Sequence, residues 1–213
     1  NTTTDGITNA GNFSTDGGTI KLDGNYPTGT ENTALGDTAL DSVQAGGNYN
    51  VVLGSRAGTN ITTGDNNVGV GAYALCDIQT NSQNVAIGTE SLKKNTASNN
   101  TAVGYISLRC NTSGADNTSV GLCSLTANTT ASNNVAVGSA ALRLNTTGAN
   151  NVSVGRQALC SNTTATCNTG IGDRTLCANT TGSENTAVGS FALCTNTTGA
   201  KNTAVGKNAG SAI

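Results

Sequence analysis

The chain of 213 residues carries 28 Gly, one Pro, 3% aromatic residues and neither Met nor Trp, a composition too poor in bulky side chains for a large globular core. It has no His, which excludes an ordinary triad base and an imidazole metal ligand, including the histidine-bound zinc of left-handed hexapeptide enzymes. Charged residues make up 10% of the chain and the net charge is -2, so no basic surface invites nucleic acid, and no apolar run approaches the roughly 20 residues that cross a bilayer.

Residues 1–31 are rich in Thr, Gly, Asp and Asn and carry no period; Phe13, Ile20, Leu22 and Tyr26 suit them to cap or join the open end of a first coil. From Asn32 to Ile213 the chain repeats. A glycine returns at Gly36, Gly54, Gly71, Gly88, Gly104, Gly121, Gly138, Gly155, Gly172, Gly189 and Gly206, with a spacing of 17 broken only by one insertion and one deletion. So short and strict a period predicts a parallel β-solenoid with about 17 residues per coil and about 11 repeats, a rod of roughly 50 Å at the rung spacing of about 4.8 Å. The opening at Asn1 without Met and the stop just after a repeat motif suggest a piece of something longer.

Each repeat is numbered from its Asn, which places the glycine at position 5. Position 2 is Thr or Val and position 4 is Val, Ile or Leu, the β-branched and aliphatic residues of a strand. Alternation makes these two share a face, and the aliphatic ladder at position 4 predicts that the face is the core: Val70, Ile87, Val103, Val120, Val137, Val154, Ile171 and Val188. A second short strand is expected to add Leu75, Leu92, Leu108, Leu125, Leu142, Leu159, Leu176 and Leu193 at position 9, where Leu yields only to Gly58 and Gly210. Position 12 changes from Val43, Ile61 and Ile78 to Asn95, Asn111, Asn128, Asn145, Asn162, Asn179 and Asn196. A site that accepts Ile is inward, so these amides are expected to form a buried ladder.

From Glu31 onward every Asp, Glu, Lys and Arg falls at position 6, 7, 10, 11, 16 or 17, which predicts three short β segments per coil between three wet corners. Positions 3 and 8 are small and uncharged, with Val52 the one large residue at position 3. With positions 2 and 4 inward, position 3 points out, and Ala86, Ala102, Ala136, Ser153, Ala141 and Ala158 are then a flat face for close approach of another copy. A homotrimer is the economical assembly.

Other chemistry is thin. The carboxylates are scattered singly and no Walker lysine comes after any G-x-G fragment, so neither a catalytic residue nor a cofactor or metal site is expected. The seven Cys all lie at charge-tolerant positions; Cys160, Cys177 and Cys194 stack at position 10, compatible with free thiols, with a disulfide between rungs, or with a thiolate row for a soft metal. Several N-x-S/T sequons, including Asn128, Asn145, Asn162, Asn179 and Asn196, coincide with the inward Asn of position 12 and read as by-products of the Asn-Thr-Thr turn. Asp65-Asn66-Asn67 and Asp116-Asn117 lack the nonapeptide of calcium-binding rolls. The Thr columns at positions 13 and 14 raise ice binding; if 12 and 14 face in, only one Thr column is left outside.

Asn84-Val85-Ala86-Ile87-Gly88 and Asn134-Val135-Ala136-Val137-Gly138 resemble the N-S-V-A-I-G motif in the head repeats of trimeric autotransporter adhesins, which form a parallel β-roll packed as a trimer; the period here is longer and adds an N-T-T-G turn. From about residue 19 to 213 the chain also resembles the N-T-A-V-G-x-x-A-L-x-x-N-T-T-G arrays of virion structural proteins and tail fibres of marine tailed phages, including cyanophages. These likenesses imply a non-enzymatic, homotrimeric fibre shaft or head. It would be assembled in the host cytoplasm and carried on the extracellular virion, contacting other fibre proteins and holding a tip for a host receptor or glycan. A bacterial trimeric surface adhesin is the alternative and an ice-binding solenoid the third reading. No membrane insertion is implied.

Overall fold

A computed structural model describes residues 31–211, so the expected cap, residues 1–31, lies outside the described residues except for Glu31. The described chain is a parallel β-solenoid. Its strands are three residues each, one per coil: β1 (Thr33–Leu35), β2 (Val51–Leu53), β3 (Val68–Val70), β4 (Val85–Ile87), β5 (Thr101–Val103), β6 (Thr118–Val120), β7 (Val135–Val137), β8 (Val152–Val154), β9 (Thr169–Ile171), β10 (Thr186–Val188) and β11 (Thr203–Val205). They pair in chain order into one parallel sheet with no crossover, each position level with its equivalent in the next coil, as in Ala136 beside Ser153.

Among the described residues, positions 2 to 4 are the only strand of each coil, where three β segments are expected. The remainder turns, because the backbone enters the left-handed region repeatedly. Position 9 does so even as Leu, with φ between 46° and 55° from Leu40 to Leu193. A left-handed Leu costs about 1–2 kcal/mol, a strain that Gly58 and Gly210 avoid at the same position. Position 5 is stricter. Its φ lies between 122° and 140°, and a Cβ there would meet the carbonyl of the next coil's glycine, as Gly138 would meet Gly155 O at 2.5 Å.

The core is narrow, and the strand turns the other way from expectation. Position 3 is inside: Ala86, Ala102, Ala136 and Ser153 are fully buried, as are Ala141 and Ala158 at position 8. The six residues expected as an oligomer face therefore line the interior. Leu75, Leu92, Leu108, Leu125, Leu142, Leu159, Leu176 and Leu193 lie in the core beside them. Val70, Ile87, Val103, Val120, Val137, Val154, Ile171 and Val188 do not; they stand on the outside of the sheet.

The reason is the width of the coil. Position 3 faces the position 9 Leu of its own coil, since a Cβ on Gly69 would already touch Leu75 Cδ1 at 3.2 Å. A large residue fits at position 3 only where position 9 gives way. That happens once: Val52 shares its coil with Gly58, and a Cβ on Gly58 would meet Val52 Cγ1 at 2.8 Å and Ile61 Cδ1 at 2.9 Å. Gly58→Leu alone is expected to overpack the coil and cost about 1–3 kcal/mol. Adding Val52→Ala should recover most of that loss, and a double-mutant cycle in denaturant measures the coupling.

Two amide ladders run through the interior. At position 12, Asn111 Nδ2 donates to Asn95 Oδ1 (2.7 Å), Asn128 to Asn111 (2.8 Å), Asn145 to Asn128 (3.0 Å), Asn162 to Asn145 (2.8 Å), Asn179 to Asn162 (3.1 Å) and Asn196 to Asn179 (3.1 Å). The second proton of each goes to the carbonyl of position 15, as from Asn145 to Gly148 O (2.9 Å). Above Ile78, where the ladder starts, Asn95 Nδ2 turns instead to Asn84 Oδ1 (3.2 Å) and Ala97 O. The second ladder is position 1. Asn67 Oδ1 accepts from the backbone N–H and the amide of Asn84 (3.1 and 3.2 Å), and the pattern recurs down to Asn185 and Asn202. These bonds satisfy groups whose burial alone would cost about 1–3 kcal/mol each.

Candidate functional site: an outward aliphatic face

With position 3 turned in, positions 2 and 4 of β1–β11 form two outward columns on one sheet. The first mixes Thr and Val; the second is entirely Leu, Val or Ile. Burial confirms the direction: Ile87 and Ile171 are 41% exposed and Val137 is 36% exposed, while Ala86 and Ala136 beside them are at 0%. Rung spacing makes the strip roughly 50 Å long with its two columns about 7 Å apart, a largely apolar patch of a few hundred Å², the size of the largest patch on a typical monomer. No charged residue interrupts it, because none occurs at positions 1 to 5.

The charges gather at the corners and pair both within a coil and between rungs. Glu90 binds Lys93 (2.8 Å) and Arg109 (2.6 Å), and Arg156 binds Asp173 (3.0 Å). Lys93 also lies over the ring of Tyr73, 4.8 Å from its centroid. These pairs lie at the corners, and the sheet face keeps as its only polar groups the hydroxyls of the position 2 Thr.

Comparison with family models, curated proteins and solved structures returns no match. The case for the face therefore rests on its geometry. What it offers is shape: Thr, Val, Ile and Leu side chains in register on a sheet one rung tall per repeat, able to interdigitate with an equivalent surface.

The other candidate columns carry less. The alternation that put position 14 inside fails: Thr130, Thr147, Thr164 and Thr181 are exposed, and both Thr columns reach the surface. The inner column spends its hydroxyl protons on the next rung, Thr129 to Thr146 O (3.1 Å) and Thr146 to Thr163 O (3.0 Å). The sequon residues Asn128, Asn145, Asn162 and Asn179 are fully buried and hydrogen-bonded, leaving no room for a glycan. All seven Cys are free thiols. Among the described residues no three of His, Cys, Asp and Glu converge on one point, and no helix is long and apolar enough to cross a membrane.

Two features of the fold have only a faint signal in the sequence. The position 1 ladder is announced solely by its Asn in all eleven repeats. The outward strip is signalled by Val52 and Gly58, two exceptions in one coil that fix which way position 3 points.

Proposed function

We propose that the chain is the shaft or head of an extracellular fibre on a phage particle, a homotrimer in which the outward faces of β1–β11 pack against one another. The observation that carries this reading is the strip of aliphatic side chains left outside the coil across all eleven rungs. The resemblance to trimeric adhesin heads and phage arrays supplies the number three and the setting. Trimer packing would remove the strip from water at about 25 cal/mol per Å², and it would leave the charged corners outside to meet other fibre proteins or a host receptor or glycan.

The mechanism is mechanical. Every rung bonds to the next through the sheet and the position 1 ladder, and the coils from Asn95 to Asn196 through the position 12 ladder as well, so a load on one coil is shared by its neighbours, and a narrow core without long loops among the described residues gives proteases little to cut. The result is a stiff spacer that presents a tip. A bacterial surface adhesin would use the same body.

The test is Val120→Asp with Val137→Asp. Both residues are on the strip and neither is in the core, so the variant is expected to keep the circular dichroism of the parent and fall to the mass of one chain. A variant that retains the parent's oligomeric mass contradicts the proposal. Ice binding is the second reading, favoured by the two Thr columns that reach the surface; thermal hysteresis in the single-chain variant would favour it over the fibre.

A further inference from the structure

Cys160, Cys177 and Cys194 occupy position 10 of three successive coils, and each is half-buried. Cys160 Sγ donates to Cys177 O (3.4 Å), and Cys177 Sγ donates to Cys194 O (3.3 Å). The same bond on two rungs means the same rotamer on two rungs, so the Cys160 and Cys177 sulfurs are separated by one rung translation, about 4.8 Å, and Cys194 occupies the equivalent position one rung further on. Burial pushes the Cys177 thiol up, and the neighbouring Cys160 and Cys194 push it further, which is the mark of three sulfurs within electrostatic reach.

That separation selects a chemistry. A disulfide needs Cβ atoms about 3.5–4.5 Å apart and converging, whereas stacked rungs hold them parallel and about 4.8 Å apart. Zinc–thiolate bonds are about 2.3 Å and two-coordinate Cu(I)–thiolate bonds are shorter, so a cation midway between two sulfurs needs them a little closer than the rung spacing of about 4.8 Å, an adjustment the side chains can make without moving the backbone. Linear coordination by two thiolates suits soft cations, of which Cu(I) is the type. It needs only a pair, so it does not depend on three ligands converging.

We infer that the Cys160–Cys177–Cys194 column is a binding site for a soft monovalent cation of the Cu(I) class, held linearly between thiolates on adjacent rungs. Two thiols lose their protons and bind one Cu(I), giving a bis-thiolate complex with a charge of -1 and two protons released; no electron moves. Burial and the neighbouring thiols outweigh the Arg174 guanidinium and hold the Cys177 thiol up, so the metal has to displace the proton, and Arg174 then partly offsets the charge. The other four cysteines are at other corners or on separated rungs and offer no adjacent pair: Cys76 is at position 10 of a distant coil, Cys110 at position 11, Cys123 at position 7 and Cys167 at position 17.

The column makes an uneven prediction. Cys160→Ser leaves the pair 177 and 194, Cys194→Ser leaves the pair 160 and 177, but Cys177→Ser leaves no adjacent pair. The reduced protein is loaded with Cu(I) without air and challenged with a competing Cu(I) chelator, with retained copper and alkylatable thiols counted. Parent, Cys160→Ser, Cys194→Ser and the control Cys123→Ser are expected to retain the metal with two thiols masked. Cys177→Ser should lose it while keeping the parent's circular dichroism. Retention by Cys177→Ser, or loss in either end variant, overturns the site.

Discussion

Gly138→Ala is expected to break the rod in two. Gly138 has φ of 134°, where an L side chain is strained, and the added Cβ would stand 2.5 Å from Gly155 O and 2.6 Å from Gly155 C. Those atoms are backbone of the next rung and cannot rotate away, while Gly138 N–H is held by Val120 O at 2.7 Å from the rung before. Backbone strain of about 1–3 kcal/mol is then joined by a clash relieved only by parting two coils. A loss above about 4 kcal/mol places the change among the exceptional single substitutions. Since each coil touches only its neighbours, unfolding in denaturant should change from one transition to two as the halves uncouple. Gly206→Ala is the control: φ is 122°, yet among the described residues nothing lies within 4 Å of the added Cβ. It should cost the strain alone.

Ala136→Glu is expected to unfold the coils around it, and not merely to separate chains. Ala136 is fully buried between the position 9 leucines and its sheet neighbours Ser119 and Ser153. A carboxylate there has neither space nor a cation, and an unpaired buried charge costs several kcal/mol. Thermal melting followed by circular dichroism should lose native signal at a far lower temperature than in the parent. One residue along, an acidic group at Val137 stands outside the coil, so the single chain should stay folded and the melt should fall by no more than the loss of packing between chains. Equal melts for the two variants would contradict the inward assignment of position 3.

The contrast between these two residues marks what is legible in the sequence. The period, the position 5 glycine and the leucine and asparagine columns can be read because each is an identity repeated at a fixed spacing. Strand alternation can be read too, but its phase cannot be taken from hydrophobicity, since Val and Ile at position 4 look like core. The phase is set by size: the coil is so narrow that the position 9 Leu fills it, and only Ala, Ser or Gly fits opposite. Val52 with Gly58 is the exception that encodes this rule. The number of strands is less legible because the turns use left-handed Leu at position 9, a residue type that gives no turn signal. The outward Thr of position 14 is misplaced when strand alternation is carried into a segment that bends.

In the proposed fibre, the aliphatic face of β1–β11 is covered by further copies of the chain. The direct test is the solution mass of the parent protein by light scattering, with and without reductant. The expected result is a mass near three chains of 21.0 kDa each, unchanged by reductant. A mass of one chain, stable on concentration, would contradict it.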